Sequence, residues 1–108
     1  MAMIVFEDNK EAYPIDDDIL RFNVKRLTNQ VYRLLPAKEE GSDWVKPLET
    51  CIIELLGLGD LFPDQPKFLM LVSKLDGLRV SQDDIEFALY RRTIFECCGI
   101  LNKIEKEL

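Results

Sequence analysis

At 108 residues and 47% apolar side chains, the chain holds one domain with a real core, and wholesale disorder is excluded. The net charge of −6 is lopsided: Glu7, Asp8, Glu11, Asp16, Asp17 and Asp18 against Lys10 give residues 7–18 a balance of −5 and leave −1 for the rest. That balance argues against a general affinity for nucleic-acid phosphates. No apolar run approaches the roughly 18 residues of a membrane span, and the absence of histidine removes the usual general base and the commonest metal ligand.

The first residues lack a basic start followed by an apolar core, so no secretory signal is expected. Three cysteines, an odd number, fit a reducing cytoplasm better than a disulfide scaffold. Residues 1–15 read as a short extended arm. Met3-Ile4-Val5-Phe6 has strand character, and Leu78-Arg79-Val80 is the other candidate strand with which it could form a minimal ribbon. Otherwise Ile4, Phe6 and Tyr13 would pack across the bundle, or the arm would be loose.

A first helix is predicted over 16–35. Asp16, Asp17 and Asp18 sit on its positive end, and Ile19 or Leu20, Val24, Leu27, Val31 and Leu34 make a seam by fours and threes. Asp17 and Arg21, four apart, form a local pair. Leu35-Pro36 closes the helix, because a residue before proline resists the α region. Ala37 to Ser42 is a polar loop.

The second helix is predicted over 44–57, with regular helix starting as late as Pro47. Trp44, Leu48, Cys51, Ile52, Leu55 and Leu56 form its apolar face, and Gly57-Leu58-Gly59 ends it. The third, over 66–76, carries Phe68, Leu69, Leu71, Val72 and Leu75 and stops at Asp76-Gly77.

The last helix, over 82–107, organises the chain. Ser81 reads as its N-cap, Asp83 and Asp84 suit its positive end, and its span would be roughly 40 Å. Phe87, Tyr90, Ile94, Cys97, Cys98, Leu101, Ile104 and Leu108 make one broad stripe, while Ile85, Ala88, Leu89 and Phe95 fall on other sides. A helix apolar around so much of its girth belongs in the middle of something. The fold class is therefore all-α: a four-helix bundle-like domain with a long, central C-terminal helix.

Little chemistry survives inspection. Cys51, Cys97 and Cys98 lack metal-ligand spacing and read as core thiols. Asp83 and Glu86, three apart, lie where a helix start wants acids, and Glu49 and Glu54 do not share a face. Residues 75–92 could be compared with a helix-turn-helix, but the acids Asp83, Asp84 and Glu86 at the start of its second helix would oppose phosphate. No catalytic, cofactor or metal residue is assigned.

The leading expectation is a non-enzymatic helical interaction module, a homodimer or a subunit of a larger assembly. Phe87, Leu89, Arg91, Arg92 and Phe95 are its candidate interface, with Arg92 paired to Glu96 or anchoring a partner. The alternative is an acidic inhibitor or immunity-type protein that fills a basic cleft with Asp16, Asp17 and Asp18. A carboxylate metal-dependent enzyme ranks third.

Overall fold

The seam spacing of the first helix builds what it predicts. In the computed structural model, which describes residues 2–5, 12–15 and 17–108, α1 (Asp17–Tyr32) buries Leu20, Val24, Leu27 and Val31 on one stripe. Asp17 and Asp18 lie in its first turn. Arg21 bonds Asp18, three residues back, at 3.0 Å rather than Asp17. Asp16 lies outside the described residues.

The helix does not run through to Leu35. It breaks at Arg33, and a six-residue helix, α2 (Leu34–Glu39), starts beyond it. Pro36 supplies the reason. It has no N–H for the Tyr32 carbonyl, so the ladder fails there, yet a proline within a first turn is no obstacle to a new helix. Gly41 ends α2 at φ 74, the left-handed conformation that glycine adopts without strain. Gly41 N–H donates to Lys38 O at 3.2 Å and Ser42 N–H to Ala37 O at 2.9 Å, a Schellman closure.

Asp43 caps α3 (Val45–Leu61). Its Oδ1 accepts from Val45 N–H at 3.0 Å and Lys46 N–H at 3.3 Å. Pro47 falls in the first turn, so helix begins before it rather than at it. Gly57 and Gly59 do not stop this helix; both lie inside it. A Cβ on Gly59 would stand 2.8 Å from Leu69 Cδ2, so the missing side chain serves the close approach of the next helix instead.

That helix, α4 (Lys67–Val80), likewise passes through Gly77. Leu78 is buried at helical spacing from Leu71 and Leu75, and its burial outweighs the roughly 1 kcal/mol that a helical glycine costs. The candidate strand 78–80 is thus the last turn of α4. The ribbon that does form is local: β1 (Ala2–Val5) pairs antiparallel with β2 (Ala12–Ile15), Ala2 opposite Ile15. The packing expected of Ile4, Phe6 and Tyr13 lies outside what the structure describes.

Ser81 caps the wrong helix for the sequence prediction. Its hydroxyl donates to Gly77 O at 2.5 Å and so closes α4. Residues 81–84 form a turn, Glu86 is extended, and α5 (Phe87–Glu107) begins five residues late. At 1.5 Å per residue its 21 residues span about 31 Å.

Among the described residues the architecture is all-α apart from that ribbon, with four long helices and one short one. α5 packs against α1 on one side and α4 on the other, α3 packs against α4 and α1, and α2 closes one end against α5. Tyr90, Ile94, Cys97, Leu101 and Ile104 of α5 join the buried core. The helix is central in having three helical neighbours, but it is not sheathed. Its outer flank, which carries Leu89, Arg92 and Phe95 of the predicted interface, is wet.

Tyr90 shows how the core handles its polar atoms. Its hydroxyl donates to Leu34 O at 2.7 Å, and Trp44 meets its ring edge-on at 5.0 Å. Lys38 lies over both rings, 4.8 Å from the Trp44 centroid and 5.3 Å from that of Tyr90, which ties α2 to α5. Around the rim, Lys25–Glu105, Arg26–Glu54, Lys67–Glu107 and Lys74–Glu96 join neighbouring helices. Such half-exposed pairs set register more than stability, at about 0–1 kcal/mol each.

Candidate interaction surface

An α-helix brings residues four apart onto one face. Phe87, Arg91 and Phe95 therefore line the flank of α5 that borders α1. Arg91 Cζ lies 5.5 Å from the centroid of the Phe95 ring. Across the seam, Tyr32 of α1 sets its ring 6.4 Å from Phe95. Phe87 stacks on Tyr90 at 6.1 Å, so its ring rests on the core. All of these remain substantially in water: Phe87 is 37% exposed, Phe95 46% and Tyr32 53%.

The other two predicted interface residues sit further round. Leu89, 45% exposed, and Arg92 face away from the core. Arg92 does not pair with Glu96, whose carboxylate reaches Lys74 on α4 at 3.1 Å. Six other cations meet carboxylates, whereas among the described residues neither Arg91 nor Arg92 does. Tyr32 is the member that sequence reasoning missed. It lies one turn beyond Thr28 on the flank of the α1 seam, and only the pairing of α1 with α5 brings it to Phe95.

Excess apolar surface is not confined to α5. Ile53 and Leu56 on α3 and Leu69 on α4 are also exposed, and Glu49, Ile52, Ile53 and Arg79 line a shallow groove between those helices. Among the described residues that surface carries no aromatic ring beside an unmatched cation. On α1, Ile19 and Phe22 point outward as well.

A half-open cleft of about 370 Å³ lies among α1, α2 and α3, lined in part by Gln30, Arg33, Pro47 and Cys51. Gln30 Oε1 is buried without a hydrogen-bond partner among the described residues. Burial pushes the Cys51 thiol up to about 11 and that of Cys97 to about 12, with like charge from Glu54 and from Cys98 and Glu96 adding to the rise. Burial also raises Cys98 and Tyr90. A protonated thiol is a poor nucleophile and a poor metal ligand. Cys51 and Cys97 are buried and Cys98 half-buried, on α3 and α5, in keeping with core thiols. Among the described residues no three His, Cys, Asp or Glu side chains cluster as a metal site.

The acids of the alternative reading divide. Residues 7–11 and Asp16 lie outside the described residues, and Asp18 is engaged with Arg21. Asp83 and Asp84 occupy the turn before α5, not its first turn. Among the described residues no helix is long and apolar enough to cross a membrane. No family model, no curated protein and no solved structure matches this chain.

Proposed function

We propose that the chain is a non-enzymatic helical interaction module that binds a protein through the outer flank of α5 and its border with α1. The observation that carries this is the Tyr32–Phe95–Arg91 cluster, two rings and a cation without a carboxylate partner among the described residues, held half in water on two packed helices. Rigid aromatics and arginine are the groups that protein interfaces concentrate, because they cover much area at little entropic cost. The high thiol pKa values support the non-enzymatic part, and three free cysteines suit a reducing compartment such as the cytoplasm.

Replacing Phe95 by a photo-crosslinking phenylalanine analogue in the native cell tests the reading. Covalent adducts are expected from position 95 and not from the same analogue at exposed Lys46 on α3. Equal labelling at both positions, or none at 95, overturns it. The acidic-inhibitor alternative makes a separate demand: binding would weaken on neutralising Asp16, Asp17 and Asp18 and would be strongly salt-dependent.

A further inference from the structure

We propose that the partner on α5 is a second copy of this chain, docked antiparallel, helix on helix, about a two-fold axis beside Ile94. This rests on the interaction reading above and names its partner. At 100° per residue, the side of α5 opposite its buried stripe presents Ala88, Leu89, Arg92, Phe95, Glu96 and Gly99, all exposed.

An antiparallel copy pairs positions equally spaced before and after the axis. Arg92 lies two residues before Ile94 and Glu96 two after, so Arg92 meets Glu96 of the partner subunit, and symmetry makes the pair twice. Leu89 lies five before and Gly99 five after. A Cβ on Gly99 would find nothing within 4 Å, so the glycine leaves an open notch for Leu89 of the partner subunit. Phe95 lies one residue from the axis and meets its own copy.

Charge and bulk are therefore mirrored about the same point. An axis two residues earlier sets Arg92 against Arg92, and one two residues later sets Glu96 against Glu96. The fold also leaves the pair incomplete. Arg92 meets no carboxylate among the described residues, and Lys74 takes only Oε2 of Glu96. Helix axes 8–10 Å apart, roughly the usual packing distance, are within reach of both side chains. One helix with Tyr32 at its edge is narrow beside a standard interface of about 1,600 Å², so the dimer is expected to be weak, on the order of micromolar.

Sedimentation equilibrium of the full chain from about 1 to 100 µM reads the outcome. The wild type is expected to dimerise. R92E and E96R should each raise the dissociation constant by at least about tenfold, and the double reversal R92E/E96R should return it to within about threefold. G99Q enters open space in the single chain, so its circular dichroism melt should hold while dimerisation weakens. Wild type that stays monomeric at 100 µM, or a dimer indifferent to both single reversals, or a double reversal that restores nothing, overturns the second copy. A monomer that still forms adducts at position 95 with another protein sinks this inference and spares the interaction reading. A monomer with no adducts removes both.

Discussion

The two flanks of α5 are made of similar residues and answer to different demands. Ile94 and Cys97 on the inner flank are fully enclosed between α1 and α4, while Phe95, next in sequence to Ile94, and Leu89, next to Tyr90, are nearly half in water. Hydrophobicity by itself thus separates nothing here. Position within the 3.6-residue turn decides whether a side chain stabilises the fold or is available to a partner.

That contrast can be broken most sharply by truncating each flank. Ile94→Ala removes a fully buried side chain and should cost about 2–5 kcal/mol in chemical denaturation. Phe95→Ser should change folding stability by under about 1 kcal/mol, since the contacts with Tyr32 and Arg91 are partly exposed, while weakening the dimer. Equal destabilisation by the two would mean that the outer flank is a structural element.

Alkaline titration sharpens the inner flank. The ordinary thiol value is 9.0, and the folded values for Cys51 and Cys97 are about 11 and about 12. The unfolded chain loses those protons first. The stability held by the neutral thiols is therefore complete below about pH 9 and falls as pH rises through the folded values, by up to about 1.4 kcal/mol per thiol per pH unit. A melting temperature flat from pH 9 to 11 would contradict the burial. Tyr90→Phe should cost about 1 kcal/mol, by freeing the Leu34 carbonyl from its second donor.

Alanine at the glycines gives the smallest and most discriminating effects. Gly57, Gly77 and Gly99 have room for a methyl group, so alanine at each should stabilise by up to about 1 kcal/mol. At Gly59 the gain in helix propensity is opposed by the push on Leu69, an exposed side chain able to swing at about 0.5–1.5 kcal/mol, and the net should be close to zero. Gly59→Leu, which cannot be relieved that way, should destabilise by about 1–3 kcal/mol.

These glycines also show where the sequence was legible. The α1 seam was readable because its period and its acidic start agree. Gly57, Gly59 and Gly77 misled because a glycine within a helix and a glycine after one look alike until the facing helix is known. Ser81 was ambiguous for a similar reason: a hydroxyl between two helices can close the first or open the second, and Gly77 O won. Of the candidate surface, Leu89 and Phe95 were visible as excess girth and Phe87 as the edge of the main stripe, and Tyr32 was not visible, because no local signal ties α1 to α5.

Trp44 is the sole tryptophan, enclosed against Tyr90 and covered by Lys38, on the side of the bundle where α2 closes. The molecule consequently carries a built-in optical reporter. Its native emission should be blue-shifted, and it registers the seating of α2 on α5. Because a partner at Phe95 lies one and a half turns away from Tyr90, loss of assembly should leave that colour unchanged, whereas melting shifts it to the red.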